Sequence, residues 1–573
     1  MRDSYSAICS SLGLDEHRDV LALSEIALSS PAWGISGDVL NCPLEIRTTK
    51  RPDGSTDLSP FVFLHIETNS CVVIDPRLML GCEHCFVEKA LLHQGSYEPD
   101  SSECPTIKSM ILLTAIFYHF HGLLLGVTQS VPEQNWSLLC PLPHCRVCGG
   151  GASDWAETIQ KKLKPHDGEL KETYDVSSSR AMTPVDFVRA NRYAIGFCSV
   201  VGNVGINVEF RSFPVTYAPI FVGEGKIEVA GGKGATEEQS LASCIGEALE
   251  RYYLVNPSRT KGKVSSYNDL PKSGRMDLFK FFGFPVNDEH PSVVEYANDL
   301  PIEWLDFTDA ISGEAKLLPA SFVYCPYFPS KGAHVISVGS TNGASAGANV
   351  IDATVQGALE VLERDAFSFY SRLGHSVVRI PDELVPEDVS CTIAELGWAR
   401  FHVTLLPSTV LGVYVCQVVM VSSRKHDAQT ARGTGATFNL QKSIRRAFAE
   451  CIQMYISLSG TMNEVPSDLD MRDLWRKGAA KDLLSCFFNP IDGDLPKGDG
   501  NAELMFQSAA EQGLRFFRHV LAKTERFAVV KVLATHWAVS DPTYFANNKR
   551  FSQIEDLLGL KPRSVEYRNS LFM

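Results

Sequence analysis

Two Glu-x-x-Glu-Arg segments are the residues of this chain whose spacing most directly suggests chemistry. They lie at 247–251 and 360–364, each in an apolar, helix-like stretch that follows a glycine-rich turn. In the first stretch, GGKGATEEQSLASCIGEALERYYL, Ser243, Glu247 and Glu250 are four and three residues apart and therefore share one helical face. Carboxylates on an otherwise apolar helix are costly to bury unless a cation or a hydrogen-bond donor meets them.

Two further stretches repeat this arrangement. The second stretch places four polar residues on one face: Asp352, Gln356, Glu360 and Glu363. The third, over 441–455, places three there: Arg446, Glu450 and Gln453. Because Mg²⁺ prefers oxygen ligands, and Arg and Lys bind phosphate oxygens directly, the three faces predict a site for a polyphosphate held through Mg²⁺. The alternative is three solvated helix faces on which each glutamate pairs with a neighbouring arginine, and the repetition favours the phosphate site.

No Walker A loop accompanies these helices. Neither Gly225-Lys226 nor Gly232-Lys233 has the upstream glycine and the following Ser or Thr that such a loop needs. A nucleotide would therefore be bound by another fold.

Two CxxC pairs near the start of the chain form a second constellation. They are Cys82-Glu-His-Cys85 and Cys145-Arg-Val-Cys148. Two such pairs supply the four thiolates of a tetrahedral Zn²⁺ site, and four protein ligands make the metal structural. The alternative is two unrelated pairs, since the chain contains 16 cysteines.

Length and composition describe a globular protein that holds these sites. The chain has 573 residues, of which 45% are hydrophobic, so it is long enough for two to four domains. With 53 Lys and Arg against 67 Asp and Glu, the net charge of −14 argues against a nucleic-acid partner. The uncharged run 109–132 is interpreted as a buried helix, so no membrane partner is expected. No secretory signal opens the chain, so a reducing cytoplasm is expected.

Changes in composition divide the chain into three parts. Residues 1–150 contain both CxxC pairs and form the predicted zinc-binding region, and the polar residues 151–189 form a predicted linker. From residue 190 to 573, β-rich runs such as 414–421 and 527–533 alternate with helical patterns. This alternation predicts an α/β or α+β catalytic domain.

Three of these motifs carry a resemblance to a known family. GKGATEEQSLASCIGEALERYY, STNGASAGANVIDATVQGALEVLERDAF and RRAFAECIQ resemble, in order, the ATP-site motifs of the YcaO family. The resemblance covers about residues 190–460 and implies a YcaO-type α/β ATP-binding domain that activates backbone amides with ATP. Asp352 departs from the family pattern, in which a glutamate is usual. The final residues, SVEYRNSLFM, also lack the proline-rich tail of many peptide cyclodehydratases in the family.

The resemblance assigns a role to each residue of the motifs. The implied Mg²⁺ ligands are Glu247, Glu250, Glu360 and Glu363. The implied catalytic residues are Glu360, Glu363, Arg446 and Glu450. The implied ATP ligands are Lys233, Ser243, Arg251, Asn349, Asp352, Arg364 and Gln453.

A second resemblance concerns the N-terminal region. VFLHIETNSCVVIDPRLMLGCEHCF is similar to the start of the zinc site in the E1-like domain that accompanies YcaO cyclodehydratases. It implies a reduced E1-like zinc-binding region over residues 1–150. The implied partners are a precursor peptide, a separate leader-peptide-binding protein and a flavin dehydrogenase, while a homodimer stays open.

The reaction implied by the family is ATP-dependent cyclodehydration of Cys, Ser or Thr residues in a ribosomally made peptide, giving thiazolines or oxazolines. One alternative keeps the ATP site but uses sulfide or an amine as the nucleophile, giving a thioamide or an amidine. A second alternative is a non-catalytic scaffold that binds peptide. The retained acidic and arginine positions argue against the scaffold, because a silent site has no need to bury charges.

Overall fold

In a computed structural model of the chain, the described residues fall mainly in its C-terminal two thirds. They are 142–145, 180–191, 194–195, 199–202, 204–210, 212–223, 226–255, 262–282, 293–424, 427–460, 475–536 and 550–563. To these are added the backbones of five strands between residues 48 and 130.

Strands and helices alternate along these residues. The strands are β1 Thr48–Lys50, β2 Thr56–Leu58, β3 Phe61–His65, β4 Ser70–Ile74, β5 Val127–Ser130, β6 Gly205–Asn207, β7 Val215–Gly223, β8 Lys226–Lys233, β9 Lys263–Ser265, β10 Ile302–Asp309, β11 Ala315–Pro319, β12 Ala344–Gly347, β13 Val378–Arg379, β14 Ala399–Leu405, β15 Tyr414–Ser422, β16 Thr430–Thr437, β17 Phe516–Lys523 and β18 Ala528–Ala534. The helices are α1 Pro184–Asn191, α2 Glu237–Leu254, α3 Leu278–Phe282, α4 Val350–Leu373, α5 Glu387–Glu395, α6 Leu440–Gly460, α7 Ala480–Leu483, α8 Ser485–Phe488, α9 Ala502–Glu511 and α10 Arg550–Leu558.

Antiparallel sheets carry the three long helices. One sheet has the order β11-β10-β17-β18-β12 with β9 beside β10, a second has the order β13-β14-β15-β16, and a third has the order β6-β7-β8. Helix α2 packs on β7 and β8, α4 on β12 and β18, and α6 on β15 and β16. Strands β3-β4-β5 and β1-β2 form separate small sheets.

Glycine lets two of these helices rest directly on the backbone of a strand. A Cβ atom at Gly232 in β8 would lie 1.9 Å from the carbonyl oxygen of Ser240 in α2. A Cβ atom at Gly433 in β16 would lie 2.2 Å from the backbone of α6 at Ala447 and Cys451. Any larger residue would push the helix, and the polar face it carries, away from its strand.

Apolar packing fixes the three helices in two clusters. Helix α2 contributes Ile245 and Leu249 to a cluster with Ile220 in β7 and Val529 in β18. Helices α4 and α6 contribute Leu359 and Ile444, among others, to the larger cluster. The helices therefore bury their apolar faces on the sheets.

The predicted mixed helix-and-sheet fold is confirmed, with antiparallel pairing in the named ladders. The third predicted helix extends past its predicted end at 455 to Gly460. Of the run 109–132, only the strand Val127–Ser130 belongs to the described residues. No helix in the described part of the chain is long and apolar enough to cross a membrane. The division into three parts stays a prediction, although α1, which begins inside the predicted linker, packs on α2.

Candidate functional site

Helices α2, α4 and α6 bring their polar faces together, as the three motifs predict. At the end of β8, just before α2, Lys233 Nζ donates a hydrogen bond to Glu450 of α6. Thr434 Oγ1 in β16 lies 2.6 Å from Glu363 of α4 and 3.4 Å from Glu450. Charged residues that are far apart in sequence therefore form one polar site.

One pair of carboxylates consists of Glu250 and Glu360, and it is named the open end because protein charges compensate it only partly. The amide of Ala346 donates to Glu250 Oε1 at 2.7 Å, and the amide of Gly343 donates to Glu360 Oε2 at 3.3 Å. Burial, and next the negative charge of Glu360, raise the pKa of Glu250 to about 8. Burial likewise raises the pKa of Glu360, against the opposing charge of Arg364. Charge at the open end is thus only partly compensated by the protein.

The second pair consists of Glu363 and Glu450, and it is named the closed end because protein donors and cations already engage it. Glu363 is 2% exposed and accepts hydrogen bonds from Thr434 Oγ1 at 2.6 Å and from the amide of Ala436 at 3.1 Å. Although burial opposes ionisation, the charges of Lys233 and Arg364 hold the pKa of Glu450 at about 2. The protein's own donors and cations therefore keep Glu450 ionised.

Glu247 lies on α2 beside β8 and is engaged on both oxygens. The amide of Gly231 donates to Oε2 at 3.2 Å, while Arg251 Nη2 lies 2.7 Å from Oε1. Arg251 also pairs with Glu228 in β8 at 2.9 Å. The guanidinium of this predicted ATP ligand is therefore bound to two glutamates, Glu228 and Glu247. Ser243 lies half-buried one turn earlier on the same face.

Gln453 reaches β8 from α6. Its side-chain amide fills the space in front of Gly231, because a Cβ atom there would come within 2.2 Å of Gln453 Nε2. The absence of a side chain at residue 231 thus lets Gln453 approach the backbone of β8.

The beginning of α4 holds the remaining predicted residues. Asn349 caps the helix, and its Oδ1 accepts from the amide of Asp352 at 2.9 Å. Asp352 Oδ2 accepts from the amide of Ala348 at 2.9 Å, whereas buried Oδ1 has no hydrogen-bond partner among the described residues. Arg446 Nη1 of α6 lies 3.5 Å from Gln356 Oε1 of α4.

Four residues near the site lie outside the predicted set: Arg180, Arg432, Thr434 and Lys531. Arg180 Nη1 donates to the carbonyl oxygen of Ala346 at 2.7 Å, and buried Arg432 contributes to the field that keeps Glu450 ionised. Lys531 is buried in β18, and burial lowers its pKa to about 8 despite the nearby charge of Glu360. Of the four, only Lys531 has a signal in the sequence, a charged residue within the apolar strand AVVKVLA, and this signal does not identify its partner.

The predicted zinc site lies almost entirely outside the described residues. Cys82, Cys85 and Cys148 are not among them, and Cys145 is buried beside Leu142 and Phe221. Within the described part of the chain, no group of three or more His, Cys, Asp or Glu residues is arranged to hold a metal ion.

A family model matches the region that contains the site. The model of the YcaO cyclodehydratase family, described as binding ATP and Mg²⁺, matches residues 231–535, more than half of the chain. The match begins at the glycines before α2 and ends just after β18, so it includes all three polar helices.

Solved structures share the fold. A heterocyclase in complex with substrate and cofactor is 18% identical, with a TM-score of 0.62 over 89% of this chain and 76% of that chain. The heterocyclase TruD is 16% identical, with a TM-score of 0.52 over 88% and 74%. YcaO from Methanopyrus kandleri, bound with AMPPCP and Mg²⁺, is 23% identical, with a TM-score of 0.50 over 64% and 95%.

One relative also matches by sequence. An uncharacterized protein of Methanothermobacter thermautotrophicus is 26% identical over 235 residues, which are 40% of this chain. The match spans 58% of the length of that relative.

Proposed function

Because the chain belongs to the YcaO family, we propose that it uses ATP to activate backbone amides of a ribosomally made precursor peptide and closes Cys, Ser or Thr residues into azolines. The observation that carries this proposal is the convergence of carboxylates and cations from α2, α4 and α6 in one polar site. An arrangement that buries so many charges is costly for a purely structural role.

The open end fits a divalent cation better than it fits a protein interior. Glu250 and Glu360 are two nearby carboxylates whose charge repulsion contributes to the raised pKa of Glu250. Mg²⁺ is usually held by one or two carboxylates together with substrate phosphates, so this pair supplies a suitable donor set. Bound there, Mg²⁺ would neutralise charge on the transferred phosphoryl group. The resemblance also implies Glu247 and Glu363 as Mg²⁺ ligands. Because their oxygens already accept hydrogen bonds from protein donors, we propose that they orient the site beside this pair.

The cations at the closed end are proposed to receive the phosphates of ATP. Lys233 and Arg364 are held in place by carboxylates, so little side-chain freedom is lost when they bind a phosphate. Arg446 lies on the same polar face, near Gln356. These residues would position the γ-phosphate and stabilise the charge that develops during its transfer.

The proposed reaction has three balanced steps. A Cys, Ser or Thr side chain of the peptide adds to the preceding carbonyl carbon and loses its proton. The resulting oxyanion attacks the γ-phosphorus of ATP, and ADP leaves. The ring nitrogen then loses its proton, its lone pair forms the C=N bond, and the C–O bond breaks to release phosphate. The peptide becomes lighter by one water, whose oxygen leaves with the phosphate.

The partners and the N-terminal metal are proposed on the sequence resemblance. A separate leader-binding protein would present the peptide, and a flavin dehydrogenase would oxidise azolines to azoles. Cys82, Cys85, Cys145 and Cys148 would hold a structural Zn²⁺. The fold shared with a solved heterocyclase supports the proposed heterocycle formation.

The intact mass of a Cys- and Ser-rich candidate precursor peptide tests this function. The peptide is incubated with the protein, Mg²⁺ and ATP, with and without a candidate leader-binding protein. Successive losses of one water, absent with Glu360→Gln and retained with the exposed control Glu503→Gln, would support cyclodehydration.

Two other outcomes would contradict the proposal. ATP turnover that depends on added sulfide or amine, with no loss of water, would assign thioamide or amidine formation. No mass change and no ATP turnover, even with the leader-binding protein present, would favour the scaffold.

A further inference from the structure

Lys531 stands alone as a charged residue in the middle of an apolar strand. Its strand β18 reads AVVKVLA, all seven residues are buried, and Lys531 itself is 1% exposed. Burying an ammonium group is costly, and burial lowers the pKa of Lys531 to about 8. A methionine or leucine would be expected here if the residue served only packing.

Lys531 lies near a backbone oxygen and near ionisable residues of neighbouring elements. Nζ donates a hydrogen bond to the carbonyl oxygen of Ser340, and the negative charge of Glu360 favours the ammonium form. Burial raises the pKa of the neighbouring Cys325 thiol, which is therefore neutral near pH 7. Across the sheet, Ala344 of β12 and His519 of β17 are its neighbours in register. The ammonium therefore binds the segment that precedes β12 and lies within range of the charge of Glu360.

The loop that Lys531 binds leads directly to Glu360. Residues 337–343 precede β12, and Gly339 and Gly343 both adopt a φ of +77°, in the left-handed region that favours glycine. At the end of the loop the amide of Gly343 donates to Glu360 Oε2 at 3.3 Å, while its carbonyl oxygen accepts from the amide of Val532 at 2.7 Å. The bond from Lys531 to Ser340 therefore holds the loop three residues before the amide that meets Glu360.

The other oxygen of Glu360 faces a second cation. Arg364 Nη2 lies 3.6 Å from Glu360 Oε1, one turn along α4. The orientation of this carboxylate is thus set on one side by Arg364 and on the other by the loop.

We propose that Lys531 is a positioning residue for Glu360: it anchors the loop 337–343 so that the amide of Gly343 holds the carboxylate ready to bind Mg²⁺. This inference rests on the proposed function, because it takes Glu360 as a Mg²⁺ ligand. It extends that function to a residue outside the three motifs.

Two explanations for Lys531 predict opposite changes in Mg²⁺ affinity when the lysine is removed. If its positive charge acted on the metal only through space, its removal would relieve repulsion and strengthen Mg²⁺ binding. If it positions Glu360, its removal weakens Mg²⁺ binding, because a carboxylate that must be ordered on binding pays that entropy cost.

The test is a Mg²⁺ titration of AMPPCP binding to the full chain by calorimetry, comparing wild type, Lys531→Met and the matched control Lys523→Met. Lys523 is an exposed lysine at the end of the neighbouring strand β17. In Lys531→Met we expect the half-saturating Mg²⁺ concentration to rise about tenfold. We also expect an unchanged or higher Tm, since methionine suits a buried strand better than an ammonium group. Lys523→Met should match wild type.

A double variant separates positioning from general damage. If Lys531 acts through Glu360, then Lys531→Met changes Mg²⁺ dependence no further in a Glu360→Gln background. Tighter or unchanged Mg²⁺ binding in Lys531→Met would overturn the inference while leaving the proposed function intact. Wild-type protein that fails to bind AMPPCP with Mg²⁺ would overturn both.

Discussion

The open and closed ends of the site contain the same residue type in opposite electrostatic states. At the open end, Glu250 has a pKa raised to about 8, mainly by burial and by the charge of Glu360. At the closed end, Lys233 and Arg364 overcome burial and hold the pKa of Glu450 at about 2. The pKa values of glutamates on these similarly packed helices thus differ because the cations and amides around them differ.

This difference assigns a task to each end. A carboxylate whose negative charge is already balanced by protein cations is stabilised little further by a metal ion. Two carboxylates that repel each other are stabilised strongly by one. The open end is therefore the expected position of Mg²⁺, and the closed end a fixed frame of donors and cations. Variants at the two ends should consequently fail in different ways.

The largest effect is expected from Glu360→Gln at the open end. The amide cannot supply the anionic oxygen that Mg²⁺ requires, so ATP turnover should fall by about two to three orders of magnitude. Turnover is measured as ADP formation in the presence of a peptide that loses water with wild-type protein. The Tm should stay near that of wild type, because Glu360 accepts one long hydrogen bond. If ATP turnover of Glu360→Gln lay within twofold of that of the exposed control variant Glu503→Gln, Glu360 would not be a Mg²⁺ ligand.

Substitution at the closed end should instead reduce stability. Glu363→Ala leaves the buried amide of Ala436 and the hydroxyl of Thr434 without their acceptor, which costs about 1–3 kcal/mol in the free energy of unfolding. Glu360→Ala should cost less. Chemical denaturation of the two variants measures the difference, and an equal loss at both positions would contradict the contrast between the ends.

The sequence predicted the helices better than it predicted the partners of their side chains. The residue spacing on α2, α4 and α6 is a local feature of the sequence, and the structure contains the three helices. The position of Lys531 near Glu360 depends instead on the pairing of β18 with β12, and tertiary packing decides that pairing.

Arg251 is a second residue for which the sequence predicts only one of the partners. It follows Glu250 in the motif, yet in the structure it pairs with Glu228 in β8 and with Glu247. Spacing along α2 predicts the Glu247 partner but contains no information about which strand the helix will cover.

A smaller effect concerns pH and Glu250. The folded protein retains the proton of Glu250 up to about pH 8, while an unfolded chain releases it near its ordinary pKa of 4.5. The unfolded state therefore binds fewer protons in this interval, and this residue makes nucleotide-free protein less stable as pH rises from 4.5 to 8. Denaturation curves across this range should show a shallower decline in Glu250→Gln than in wild type. An identical decline, with the exposed variant Glu238→Gln as control, would contradict the raised pKa.

The smallest effect is expected at Gly231. A methyl group there would meet Gln453 Nε2 at 2.2 Å and displace this amide, so Gly231→Ala should weaken AMPPCP binding about threefold. In a Gln453→Ala background the same substitution should have almost no effect, as calorimetry can measure. Full additivity would show that the two residues do not act through each other.

Proton release on binding tests the central claim most directly. Calorimetry at pH 7 in two buffers of different ionisation enthalpy gives the number of protons released when Mg²⁺ and AMPPCP bind. Glu250, with a pKa raised to about 8, must lose its proton to meet the metal, so wild type should release close to one proton more than Glu250→Gln. Equal proton release and equal affinity in the two proteins would place Mg²⁺ elsewhere and contradict the account.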